Sequence, residues 1–205
     1  MPAPQVESSS LAILLIDAQP LFWKQMHGPG EPVLVRLEQL LTIAEWFGLP
    51  LIATFEHPVE IKGWLPESLE RIFPPHGQRF VKRTFNCCEE PAIRHALEQL
   101  RAKQVAISGA ETDVCVLQSA LGLRKMGYEV FLLEDCLFTS EPHPGPAFDR
   151  MYQAGVIPCT YKMLYYELTR TVDEGGWPRE WQARRSEYAA RIIVPEELPP
   201  WEPTR

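Results

Sequence analysis

Long apolar runs are scarce in this sequence. The one nearest the N-terminus, Leu11 to Ile16, stops at Asp17, far short of the ~20 residues that a membrane-spanning helix needs. No basic stretch precedes it, as a secretory leader would require. The expectation is a cytoplasmic protein with no membrane partner. Cysteine is also sparse: five residues, an odd number, two of them adjacent at Cys87 and Cys88. That pattern excludes a disulfide framework and suits reduced thiols. Positive charge is in deficit, with 20 Lys and Arg against 27 Asp and Glu and a net charge of −7. Basic residues cluster only in pairs such as Lys82-Arg83 and Arg184-Arg185, too short to track a phosphate backbone, so nucleic acid is not an expected partner. Internal repeats and low-complexity tracts are missing as well.

What remains is an ordinary globular composition, 45% hydrophobic and 23% charged, in a chain long enough to bury one full core. Short apolar runs alternate with amphipathic stretches. Leu11 to Ile16, Leu51 to Phe55, Phe80 to Lys82, Val105 to Ile107, Glu129 to Leu133 and Val156 to Pro158 are predicted strands. Helices are predicted over Pro32 to Phe47, Pro91 to Leu100, Asp113 to Met126, Ala147 to Ala154 and Met163 to Val172. An apolar run without alternation suits a strand covered on both faces. The prediction is therefore an α/β three-layer sandwich with a mostly parallel, six-stranded, Rossmann-like sheet. Residues 1–10 are expected as a flexible lead-in, 11–175 as the body, and the Trp- and Pro-bearing 176–205 as an arm on the core or a neighbouring subunit.

The stretch Gln104 to Gln118, QVAISGAETDVCVLQ, organises the rest. It passes from strand to helix through Ser108-Gly109 and sets Cys115 near the helix start. There, unpaired N–H groups and the macrodipole favour a thiolate. A lone cysteine at such a place is more often a small buried hydrophobe. Ligands of parallel sheets sit beyond the carboxyl ends of the strands, and Asp17, Glu56, Lys82 and the turn before Cys115 all fall at such ends. A carboxylate to take a thiol proton and an ammonium to lower the thiol pKa complete a nucleophilic set of Asp17, Lys82 and Cys115. Each residue alone has an ordinary structural use, Asp17 as a turn cap and Lys82 as a solvated edge-strand lysine.

LLIDAQ (14–19), VKRTFN (81–86) and SGAETDVCV (108–116) resemble, in order and spacing, the three motifs of the isochorismatase-like cysteine hydrolases. GYEVFLLEDC (127–136) and GVIPCTYKMLYYEL (155–168) resemble the family's last strands and helix. The likeness covers about residues 10 to 172. It implies an Asp17–Lys82–Cys115 triad, a cis peptide between Ala110 and Glu111, and an oxyanion hole from the backbone N–H groups of Glu111 and Cys115. It implies attack of Cys115 on a small amide through a thioester, on a small-molecule substrate, in a homo-oligomer of two or four copies.

Isochorismatases proper lack the cysteine, so Cys115 favours amide-type hydrolysis over vinyl-ether cleavage. The metal-binding Asp-x-His of the nicotinamidase branch is replaced here by Phe55-Glu56-His57-Pro58. His76 is the one later histidine in range, so no metal and no other cofactor is expected. Phe22, Trp23, Trp64 and Glu56 are candidate pocket residues, the carboxylate favouring a cationic or donor-rich substrate. The alternatives are a catalytically idle interaction protein and, more distantly, a thiol sensor pairing Cys115 with Cys87 or Cys88.

Overall fold

The computed structural model describes residues 4–171, and the arm expected over 176–205 lies outside them. Six parallel strands form one sheet: β1 (Leu11–Ile16), β2 (Leu51–Glu56), β3 (Gln78–Lys82), β4 (Gln104–Gly109), β5 (Glu129–Leu137) and β6 (Ile157–Cys159). Their order is β3-β2-β1-β4-β5-β6, and every adjacent pair is parallel. The sequence-predicted α/β sandwich is the fold observed.

Why β1 reads as an unbroken apolar run is visible in its surroundings. Successive side chains of a strand point to opposite faces. Ile13 and Leu15 enter one core, with Leu37, Leu40 and Leu41 of helix α2 (Glu31–Trp46) and Leu164 and Leu168 of α8 (Tyr161–Thr169). Leu14 and Ile16 enter the other. That second core holds Ile93 and Leu97 of α5 (Pro91–Gln99), Ala120 and Leu123 of α6 (Leu117–Lys125), and Met151 of α7 (Gly145–Gln153). A strand clad in helices on both sides has no polar face to offer.

Several boundaries differ from the sequence prediction, each for a local reason. Phe22 and Trp23 lie on a short helix, α1 (Pro20–Gln25), which is not among the predicted elements. Two further short helices, α3 (Val59–Lys62) and α4 (Glu67–Glu70), break the connection between β2 and β3. β5 continues past Glu134-Asp135, which looked like its end, because a register shift between Ile107 and Gly109 lets Leu137 pair with Gly109. Where residues 1–10 were expected to fray, Val6 is fully buried. Its N–H donates to Glu167 at 2.7 Å, and that of Glu7 donates to the Gln104 side chain at 2.8 Å.

One glycine is irreplaceable on geometric grounds. Gly109 ends β4 at φ +105°, and a Cβ there would stand 1.9 Å from the Ile16 carbonyl oxygen, which accepts the Ala110 N–H at 2.8 Å. Both the backbone angle and the contact exclude a side chain. Gly109→Ala is expected to lower stability by roughly 2–4 kcal/mol, read as a urea midpoint shift with unchanged slope. A midpoint within error of the parent would contradict this packing.

Candidate active site

Strand order places the site. β1 is followed in sequence by its neighbour on one side, β2, and the chain crosses to its other neighbour, β4, only later. Such a reversal opens a crevice beyond the carboxyl ends of the strands. Asp17 follows β1, Glu56 ends β2, Lys82 ends β3, and the turn after β4 carries Cys115.

Asp17 turns the chain at φ 43°, a left-handed angle that Asp tolerates better than most residues. Its N–H still bonds across to Thr54 at 3.1 Å, and its carbonyl accepts the Gln19 N–H at 2.7 Å. The carboxylate is thereby aimed into the crevice, where Thr54 Oγ1 donates to Oδ1 at 2.8 Å. Lys82 sits on the edge strand with the usual pattern reversed: Val81 is 43% exposed while Lys82 is 0% exposed. Its Nζ lies 2.6 Å from Asp17 Oδ2 and 3.7 Å from Glu56 Oε2. It donates to the Thr84 carbonyl at 3.1 Å and to Cys115 Sγ at 3.4 Å.

Cys115 was expected in the first turn of an α-helix. It lies instead in a wide turn, Thr112–Val116, ahead of α6. The wide pitch shows in the bonds from Val116 N–H to the Glu111 carbonyl and from Leu117 N–H to that of Thr112, each spanning five residues. Such widened turns concentrate at functional sites. The peptide bond Ala110-Glu111 is cis, as is His57-Pro58. The Thr112 N–H bonds to the Phe138 carbonyl at 3.2 Å, and the Phe138 N–H bonds to that of Gly109, so the chain beyond β5 stitches the turn in place.

Electrostatics correct one expectation. The thiol was expected to titrate below a free cysteine under the influence of Lys82. Burial instead pushes it well up, and the Asp17 charge adds to this, outweighing the lowering by Lys82. The resting sulfur is therefore a thiol that accepts from Lys82 and donates to Glu56 Oε2 at 3.2 Å. Burial also raises Asp17 above the usual carboxylate range against the opposing pull of Lys82. Glu56 goes the other way: burial works to raise it, but the hydrogen bonds from Lys62 and Cys115 and the charges of Lys82 and Lys62 bring it below. For Lys82 burial works to lower the pKa, but the charge and hydrogen bond of Asp17 together with the charges of Cys115 and Glu56 hold it above its ordinary value.

Asp17, Glu56 and Cys115 offer donor atoms within 4.8 Å of one another, a spacing that suits a cation. The Lys82 ammonium already stands among them at the distances above, so a metal ion does not fit this set. The His76 ring bonds to the Leu49 carbonyl at 2.9 Å.

The pocket candidates divide by contact. Trp23 stacks on Phe138 at 4.0 Å and donates its indole N–H to the Ala18 carbonyl at 3.3 Å, steadying the turn beside Asp17. Phe22 lies beneath the Lys62 ammonium, 5.7 Å from the ring centre. Trp64, 48% exposed, meets Phe55 edge-on. Glu56 is ion-paired with Lys62 and faces the sulfur. Sequence reasoning assigned no role to two residues here. Gln19 clamps β2 and the following loop, accepting from Glu56 N–H at 2.6 Å and donating to the carbonyls of Glu56 and Gly63. Its place in LLIDAQ was the available signal. Lys62 had none, since nothing in the sequence says that a lysine six residues after Glu56 folds back onto it.

Residues 11–162 match the isochorismatase domain family. Isochorismatase family protein 1B of Dictyostelium discoideum is 27% identical over 78% of each chain. The probable hydrolase YcaC of Escherichia coli strain K12 is 28% identical over 82% of each. A crystal structure of Escherichia coli YcaC, an octameric hydrolase of unknown specificity, has the same fold, with a TM-score of 0.80 and 24% identity over 93% of this chain and 99% of that one. No helix among the described residues is long and apolar enough to cross a membrane.

Proposed function

Because this chain belongs to the isochorismatase domain family, we propose that it is a cysteine-dependent hydrolase of a small amide or related C–N bond, working through a thioester on Cys115. One observation carries the reading. A lysine with no exposed surface bridges a buried carboxylate at 2.6 Å and a thiol at 3.4 Å. Burying such a set is costly, and apolar residues of the same volume would be at least as stable. Retaining it on an edge strand makes sense for chemistry.

In this reading Asp17 takes the Cys115 proton as sulfur attacks the carbonyl carbon. Its burial-raised pKa suits a group that must hold a proton and then release it. The Lys82 ammonium stabilises the sulfur as it becomes a thiolate. The resemblance to the family assigns the oxyanion to the backbone N–H groups of Glu111 and Cys115. The C–N bond breaks as Asp17 returns the proton to the leaving nitrogen. Water then attacks the thioester carbon, gives a proton to Asp17, and releases the acid as sulfur regains its hydrogen. A homo-oligomer is part of the proposal, in line with the octameric YcaC.

Incubation with a panel of small primary amides tests the reading, with ammonia release and the mass of the Cys115 peptide as readouts. Ammonia together with an acyl adduct on Cys115 is the expected result. Ammonia release that persists without Cys115, or neither signal across the panel, would overturn it.

A further inference from the structure

Two carboxylates reach the Cys115 sulfur, and the mechanism above uses one. Glu56 Oε2 accepts the thiol hydrogen at 3.2 Å, while Oε1 is tied to Lys62. The side chain is only 16% exposed, and Gln19 holds its backbone on both sides, at N–H and carbonyl. The carboxylate is therefore a fixed acceptor, one oxygen permanently occupied and the other occupied by a hydrogen that departs during the reaction.

We propose that Glu56 is a positioning and specificity-determining residue: Oε2 holds the resting thiol and, once that hydrogen leaves, accepts an N–H from the substrate's scissile nitrogen. This rests on the amide-hydrolase reading for its catalytic meaning. When the Cys115 proton passes to Asp17, Oε2 loses its hydrogen-bond donor within a largely buried site, where the Lys82 ammonium stands 3.7 Å away, beyond hydrogen-bond distance. An ionised acceptor left without a donor there is strongly disfavoured. A primary or secondary amide brings a replacement on the atom next to the reacting carbon, whereas an ester or tertiary amide brings none. The preferred substrates are thus amides or ureas with a free N–H, and a site built to receive that N–H rejects analogues without it. A cationic substrate, one of the two classes the sequence suggested, is disfavoured because Lys62 already neutralises Glu56.

The same geometry makes Glu56 and Lys62 opposing controls on the thiol. The charged groups facing Cys115 are Asp17, Glu56 and Lys82, and Lys62 faces Glu56. Removing the Glu56 charge makes the thiolate easier to form, and exposing it by removing Lys62 makes it harder.

Two measurements on the full chain test it. Hydrolysis of primary amides is compared with that of the matched N,N-dimethyl amides, each normalised to its uncatalysed hydrolysis. In the parent the primary amide is expected to be favoured by about 10-fold or more beyond the uncatalysed ratio, and Glu56→Ala should abolish that excess. The second measurement needs no substrate: the rate of Cys115 alkylation by iodoacetamide at fixed pH, followed by peptide mass, should rise in Glu56→Gln and fall in Lys62→Met. A parent ratio equal to the uncatalysed one, an excess that survives Glu56→Ala, or alkylation rates that stay put or move together would overturn the proposal. Alkylation rates that move as stated with no amide turnover would instead count against the hydrolase reading alone.

Discussion

Lys82→Met is expected to lower stability by about 3–5 kcal/mol and to slow hydrolysis by ~10³-fold or more. Methionine replaces much of the apolar volume of a side chain that has no exposed surface. It leaves Asp17 without the ammonium at 2.6 Å, with Thr54 still donating to the other oxygen. An unpaired carboxylate in that position protonates. Burial already raises the Asp17 pKa against the opposing effect of Lys82, and losing that opposition raises it further. The sign of the pH dependence follows. A carboxylic acid whose folded pKa exceeds its unfolded value is most compatible with folding when protonated. The variant should therefore approach the parent as pH falls and diverge from it as pH rises.

At ~2–4 °C per kcal/mol for a chain of this size, melts at neutral pH should differ by roughly 6–20 °C. Adding Asp17→Asn should restore much of the stability and none of the activity, because it removes the stranded charge together with the base. A single variant within about 1 kcal/mol of the parent would mean that the pair is not a coupled buried unit.

Cys115→Ser is expected to remove hydrolysis by ~10⁴–10⁶-fold while leaving the melt nearly unchanged. Serine keeps a donor for Glu56 Oε2 and an acceptor for the Lys82 ammonium, so the resting network survives. The hydroxyl is a far weaker acid than a thiol, and Asp17 cannot remove its proton as readily. No acyl adduct should accumulate at position 115. Residual turnover above about a hundredth of the parent would exclude Cys115 as the obligatory nucleophile. The two substitutions thus separate the roles: Lys82→Met disturbs both folding and chemistry, Cys115→Ser chemistry alone.

Much of this protein was legible in its sequence, and the reason is local. Whether a segment becomes a strand or a helix depends on periodicity within the segment, so β1, β2 and α2 were readable from the run at Leu11 to Ile16, the run at Leu51 to Phe55 and the spacing after Pro32. A strand end is equally local: Asp17, Glu56 and Lys82 each stand where an apolar run breaks. The motifs LLIDAQ, VKRTFN and SGAETDVCV carried the family for the same reason.

Tertiary structure alone decided the rest. That Lys82 points inward from an edge strand while Val81 faces out depends on strand order, which no single segment encodes. The pKa of Cys115 runs opposite to the sequence expectation because nearby charge is legible in motifs and burial is not. Desolvation is set by everything packed around the sulfur, and here it exceeds the attraction of Lys82. The pairing of Lys62 with Glu56, and of Glu56 with the thiol, arises because α3 folds back over the end of β2 and the turn after β4 meets it there. Sequence supplied the chemical groups and their elements, while long-range packing chose which charges face one another and how little water lies between them.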